Sequence, residues 1–210
     1  MRRDLPPGIY GITSRDFGLG HAEAARIMLE AGIRIVQYRE KSRPARDMVE
    51  EARAIRELCS SYGALFIVDD RADVAYASDA DGVHLGQEDL PVGAARRMLG
   101  GAIVGASAST PGEARAAEEE GADYIGAGSV FPTATKGGAR VIGLEGLRSI
   151  VAAVRIPVYA IGGIRLEHLP AVRAAGAHGA AVISGILGAR DPLAAARALV
   201  EGWSRLGGAL

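Results

Sequence analysis

The chain has 210 residues, of which 49% are hydrophobic and 23% charged, with a formal net charge of -1 at pH 7. This balance is ordinary for a globular protein and gives no electrostatic basis for nucleic acid or an anionic membrane as the main partner, so any anion must be held by local cations. Cys59 is the only cysteine, which excludes an intramolecular disulfide, and its Arg/Glu/Leu surroundings read as a helix in which it packs.

Met1 to Pro7 meets prolines before any apolar run long enough for a signal peptide, and no apolar stretch has the length of a membrane span. A cytoplasmic protein is expected. From there short β-rich runs alternate with longer Ala/Arg/Glu/Leu segments. A strand over Gly8 to Thr13 leads to a helix over Ala22 to Ala31, and a second strand, Arg34 to Arg39, to a helix over Ala45 to Ser60. Leu65 to Asp69 is followed by a weak helical segment, Asp73 to Ala77. Gly82 to Leu85 and Ile103 to Ala106 come next. Pro111 and Gly121 then mark the two ends of a helix. Tyr124 to Ala127, Val158 to Ile161 and Ala180 to Ser184 complete the strands, with helices over Leu144 to Val154, Leu166 to Ala175 and Pro192 to Leu206. Eight such units with no linker between them predict an α/β fold: one single-domain (β/α)8 TIM barrel over residues 1–210, with a doubly wound open sheet as the alternative.

The polar residues collect where strands end, and in a barrel these ends share the face on which sites are built. Gln37, Arg39 and Lys41 alternate, so on a strand they point the same way. Asp70 and Asp89 follow two adjacent strands and suit a pair of oxygen ligands for magnesium, or else two helix N-caps, with Asp69 a third carboxylate alongside. Ser107 and Ser109 follow the fifth strand. Thr133, Ala134, Thr135 and Lys136, with the two glycines after them, form a loop suited to phosphate oxygens. Gly162-Gly163 and Ile183-Ser184-Gly185 follow the last two strands, where barrels often present amides to a phosphate, though Gly-Gly also makes a plain turn. Lys41 and Lys136 are the chain's only lysines among 24 cationic residues, and both fall in these stretches. A compact ammonium differs from a planar guanidinium in such a position. Of the four histidines, His84 lies inside the fourth strand, where it lines the barrel mouth or simply packs. No pair of them has metal-ligand spacing.

Taken in order, Val36-Gln37-Tyr38-Arg39-Glu40-Lys41, Phe66-Ile67-Val68-Asp69-Asp70-Arg71, Ala80-Asp81-Gly82-Val83-His84-Leu85-Gly86-Gln87-Glu88-Asp89, Phe131-Pro132-Thr133-Ala134-Thr135-Lys136 and Ile161-Gly162-Gly163-Ile164 resemble the thiamine phosphate synthase family. The resemblance runs from about Gly8 to beyond Gly185. It implies a barrel enzyme, a transferase with Mg2+ as cofactor and two small phosphorylated substrates. One is 4-amino-2-methyl-5-hydroxymethylpyrimidine diphosphate and the other 4-methyl-5-(2-hydroxyethyl)thiazole phosphate. By similarity, Gln37, Tyr38, Arg39, Glu40, Lys41, Asp69, Ser107 and Lys136 contact the first, with Arg39, Lys41, Ser107 and Lys136 as the catalytic set. Thr133, Ala134, Thr135, Gly163, Ile183 and Ser184 contact the second, and Asp70 and Asp89 hold the metal. The oligomeric state is left open, a homo-oligomer included.

Two residues depart from the family's pattern: Asp69 stands where asparagine is usual, and Ser109 where histidine is common. Three other readings compete. A thiazole tautomerase on the same barrel looks to use a histidine where this chain has Ser129. A Schiff-base aldolase would need Lys136 in an apolar pocket. A non-catalytic phosphate-ligand barrel leaves Asp70 and Asp89 unexplained.

Overall fold

The computed structural model describes residues 4–133 and 140–207, which form eight parallel strands closed into a barrel in chain order. The strands are β1 (Gly8–Ile12), β2 (Ile35–Tyr38), β3 (Leu65–Asp69), β4 (Gly82–Leu85), β5 (Ile103–Ala108), β6 (Tyr124–Ala127), β7 (Val158–Ile161) and β8 (Gly179–Val182). Closure is made by β1 against β8, with Tyr10 opposite Ala181 and Gly11 opposite Val182. The helices are α1 (His21–Glu30), α2 (Ala45–Ser61), α3 (Ala72–Ala77), α4 (Val92–Leu99), α5 (Pro111–Glu119), α6 (Gly143–Val151), α7 (Leu169–Ala174), α8 (Ser184–Leu187) and α9 (Pro192–Gly207). The barrel, not the open sheet, is the architecture. No helix among the described residues is long and apolar enough to cross a membrane.

Local chemistry sets most limits. Thr110 caps α5 by accepting from Glu113 N–H, Pro111 opens the helix, and Gly121 turns the chain at φ 99°. Two elements differ from the sequence reading. α4 is a helix that the sequence did not mark, because only Val92 and Ala95 of its eight residues are buried. Ser184, expected to end the last strand, instead begins α8.

Two cores result. The larger lies between barrel and helices, where outward strand residues such as Val36, Val68 and Val104 meet Met28, Ile55 and Leu147. The smaller fills the barrel with Tyr10, Ile12, Ile35, Ile67, Ile103, Tyr124, Tyr159 and Ala181. Three tyrosines in so narrow a space need small neighbours. A Cβ on Gly105 would lie 2.1 Å from Tyr124 Cζ, and one on Gly179 would lie 2.7 Å from Tyr159 Cδ1. Tyr10 and Tyr124 each meet Tyr159 close to edge-on, with ring centroids 5.4 and 5.5 Å apart, the arrangement that aromatic quadrupoles favour. At the far end, the Tyr159 hydroxyl donates to Pro6 O (2.6 Å) and His178 Nε2 bonds Leu5 O (3.0 Å). The bottom of the barrel is thereby tied to the N-terminal stretch.

Candidate active site

Above the tyrosines, at the C-terminal ends of the strands, opens a cavity of about 610 Å3. Gln37 on β2 and the residues just past its end decide what enters it. Gln37, Arg39 and Lys41 line the cavity, whereas Tyr38 and Glu40 face outward and do not. The Tyr38 hydroxyl donates to Glu51 (3.0 Å). Glu40 accepts from Ser42 N–H (2.8 Å) and the Ser42 hydroxyl (3.0 Å) and lies 3.3 Å from His21 Nε2. Burial opposes charge on Glu40, but the Ser42 and His21 hydrogen bonds outweigh it and hold its carboxyl down at about 2. These two residues brace the rim that aims Arg39 and Lys41.

Across from Lys41 stand the carboxylates of the β3 and β4 ends. Lys41 Nζ is 2.9 Å from Asp69 Oδ2 and also contacts Asp70 Oδ2, while Arg39 Nε is 3.8 Å from Asp69. Burial raises the Asp69 carboxyl to about 6, and the neighbouring Asp70 adds to this against the pull of Lys41 and Arg39. Burial works against the Lys41 charge too, yet the two aspartates more than offset it and its pKa is raised.

Asp70 adopts φ 60°, a left-handed backbone, with its N–H on His84 O (2.8 Å). This turn places its side chain beside Asp89, whose own Oδ2 accepts from Gly86 N–H (2.6 Å). Burial and then the Asp70 carboxylate push the Asp89 carboxyl upward. Neither aspartate caps a helix: α3 and α4 start behind Arg71 and Pro91 without side-chain caps. The N-cap reading of these two residues is thus removed, and what remains is an adjoining carboxylate pair at the cavity wall. Such hard oxygen donors fit a small divalent cation, which would relieve their mutual repulsion.

Opposite lie the ends of β7 and β8. Gly162 and Gly163 have φ 95° and 64°, and a Cβ on Gly163 would lie 2.5 Å from Pro132 O, so the turn after β7 nests against the root of the loop after β6. Phe131 N–H donates to Gly162 O (3.0 Å), which locks the two together. Gly163, Ile183 and Ser184 all line the cavity, as does Thr133. Within α8, Ile186 N–H and Leu187 N–H donate to Ile183 O (3.0 and 2.9 Å), so it is the Ser184 end that the helix turns to the cavity. Ala134, Thr135 and Lys136 lie outside the described residues.

Ser107 lines the cavity on β5, and its carbonyl accepts from Gln87 Nε2 (2.6 Å). Ser109 N–H is taken by Glu113 (2.6 Å), and its hydroxyl donates to Gly128 O (3.3 Å). The lining residues outside the expected set include Tyr10, Tyr124 and Tyr159 at the floor, and Arg140 at the rim. His84, open between packing and lining, lines the cavity. Inward tyrosines on strands carry no mark that distinguishes them from ordinary core, whereas Arg140 was findable as the cation closing the Lys136 loop.

Residues 9–186 match the family model described as thiamine monophosphate synthase. The chain is 57% identical over 200 residues to the thiamine-phosphate synthase of Caldivirga maquilingensis, covering 95% of this chain and 98% of that one. It is 52% identical over 197 residues to the thiamine-phosphate synthase of Moorella thermoacetica, covering 92% and 94%. The solved structure of thiamine phosphate pyrophosphorylase from Pyrococcus furiosus superposes with a TM-score of 0.90 at 47% identity, over 95% of this chain and 96% of that chain. With the cavity, its carboxylate pair and its amide-rich turns on one barrel face, the chain belongs to the thiamine monophosphate synthase family of enzymes.

Proposed function

We propose that the cavity joins 4-amino-2-methyl-5-hydroxymethylpyrimidine diphosphate to 4-methyl-5-(2-hydroxyethyl)thiazole phosphate, giving thiamine phosphate and pyrophosphate. The observation that carries this reading is the division of the cavity. Arg39, Lys41 and the aspartates occupy one wall, and the glycine turn at Gly162-Gly163 and the start of α8 the other. Each wall suits one phosphorylated substrate. Gln37, Asp69 and Ser107 would contact the pyrimidine diphosphate, and Thr133, Gly163, Ile183 and Ser184 the thiazole phosphate, with Thr135 and Lys136 contributing from the intervening loop.

The chemistry is a substitution at the pyrimidine methylene carbon. The carbon–oxygen bond to diphosphate breaks with its electron pair going to oxygen, and the electron-rich aminopyrimidine stabilises the methylene cation. The thiazole nitrogen then supplies the lone pair for the new carbon–nitrogen bond. No proton has to be removed, so no general base is required and no covalent enzyme intermediate forms. Arg39, Lys41 and Lys136 would offset the charge that builds on the leaving group, the interaction that counts most where water is excluded. Asp70 and Asp89 would hold Mg2+, which when bound supplies further positive charge at the diphosphate.

The tautomerase alternative fares poorly beside this. Ser129 is buried and its hydroxyl donates to Phe131 O (2.7 Å), so it ties the loop and offers no base. The reading also implies small-molecule partners and a cytoplasmic location. The test is a coupled assay: purified protein with both substrates and magnesium releases pyrophosphate and forms thiamine phosphate, and either substrate alone does not. Formation of no thiamine phosphate with both present overturns the assignment.

A further inference from the structure

A line of hydrogen bonds crosses the barrel interior from β2 to β5. Gln37 Nε2 donates to the Tyr10 hydroxyl (3.0 Å), the Tyr10 and Tyr124 hydroxyls are 2.8 Å apart, and the Tyr124 hydroxyl is 3.0 Å from His84 Nδ1. His84 Nε2 is in turn 3.0 Å from Ser107 Oγ, at the cavity wall. Space for this line is built into the strands, since a Cβ on Gly105 would collide with the Tyr124 ring and one on Gly126 would lie 2.9 Å from His84 Cε1.

The line has a direction. Tyr10 is 2% exposed and Tyr124 fully buried, and burial raises both phenols far above their ordinary range, so each stays neutral with one proton to place. The Tyr10 oxygen accepts from Gln37, and the acceptor within reach of its own buried proton is the Tyr124 oxygen, so the proton goes there. The Tyr124 proton then goes to His84 Nδ1. A nitrogen that accepts carries no hydrogen, and a neutral imidazole with Nδ1 bare has its hydrogen on Nε2, which donates to Ser107 Oγ. The Ser107 hydroxyl, its oxygen engaged as an acceptor, keeps its own proton to give.

We propose that Tyr10, Tyr124 and His84 are positioning residues that fix His84 as the Nε2–H tautomer and so make Ser107 a hydrogen-bond donor to a lone-pair atom of the bound substrate. The Ser107 proton is then available to a lone-pair atom at that point, because a His84 Nε2 that already carries hydrogen cannot accept it. The identity of the substrate atom rests on the proposed function. The tautomer does not.

The experiment reads the tautomer first, without substrate. Full-length protein labelled with 15N in its histidines is observed by long-range 15N–1H correlation at neutral pH, with His84→Gln to assign the resonances. Nδ1 is expected as the bare, pyridine-type nitrogen and Nε2 as the protonated one; an Nδ1–H tautomer or an imidazolium overturns the proposal. Turnover then tests transmission to Ser107. His84→Gln can place an N–H where Nε2–H stood, and His84→Asn cannot reach. The asparagine variant is expected to lose about tenfold more kcat/KM, the scale of one hydrogen bond. Equal losses overturn the role assigned to Ser107, whatever the substrate proves to be.

Discussion

Lys41 Nζ sits 2.9 Å from Asp69 Oδ2 and in contact with Asp70 Oδ2, an ammonium held between two carboxylates at the cavity wall. In this state it occupies Asp70, one of the two aspartates that the proposed function assigns to Mg2+. Binding a diphosphate with its cation asks Lys41 to give up Asp70 and turn to phosphate oxygens. A point charge on a flexible stem can make that exchange, and a planar fork matched to carboxylates resists it.

Lys41→Arg is therefore expected to fold normally and to lose about tenfold or more in kcat, while Lys41→Ala loses about a hundredfold, the scale of one transition-state contact. Steady-state pyrophosphate release measures both. A Lys41→Arg enzyme as fast as the parent shows that charge alone suffices there, and that lysine was not needed for its shape.

The adjoining carboxylates of Asp70 and Asp89 set a second expectation. Asp70→Asn or Asp89→Asn weakens Mg2+ binding measured calorimetrically on the protein, and Asp70→Ala cuts turnover by more than about a hundredfold. A chelator is expected to abolish the parent's turnover. Calorimetric binding unchanged in both asparagine variants removes these residues as ligands.

Asp69 makes a third prediction through pH. Its carboxyl titrates at about 6 in the folded protein, chiefly because it is buried, against an ordinary 3.8. The folded state thus binds the proton more tightly than the unfolded one, so this group costs no stability below about pH 4 and an increasing amount up to about pH 6. Asp69→Asn is expected to be more stable than the parent by on the order of 2–3 kcal/mol above pH 6 and to lose that advantage toward pH 4. Urea unfolding at several pH values, with chelator present, gives the difference. A gap between the two proteins that does not change with pH contradicts the burial argument.

Much of this site is legible in the sequence. Strand alternation alone put Gln37, Arg39 and Lys41 on one face, and the same alternation explains why Tyr38 and Glu40, carried along by a contiguous motif, lie on the other. Asp70 and Asp89 adjoin because β3 and β4 pair directly in the sheet, as their place after two consecutive strands already implied. The floor was harder to see. Tyr10, Tyr124 and Tyr159 sit in apolar strands where an aromatic is ordinary core, and their hydroxyls acquire partners only across the barrel, 114 residues apart in the case of Tyr10 and Tyr124. α4 escaped notice for a similar reason, since a short helix burying little beyond Val92 and Ala95 leaves a faint periodic mark.

The turn after β7 supplies the last prediction, with a control in the same chain. Gly163 (φ 64°) and Gly18 (φ 78°) both have left-handed backbones, so alanine at either is strained by about 1–2 kcal/mol. Their surroundings differ. Around Gly18 nothing lies within 4 Å of an added Cβ, whereas at Gly163 the Cβ would meet Pro132 O at 2.5 Å and Phe131 Cβ at 2.9 Å, at the root of the loop that carries Thr133. Gly18→Ala should lower the melting temperature and leave both KM values alone. Gly163→Ala should lower it further and raise KM for the thiazole phosphate well above its effect on KM for the pyrimidine diphosphate, because the displaced turn belongs to only one of the two walls. Equal rises in both KM values mean that the walls are not separate subsites, and the division of the cavity on which the proposed function rests would have to be redrawn.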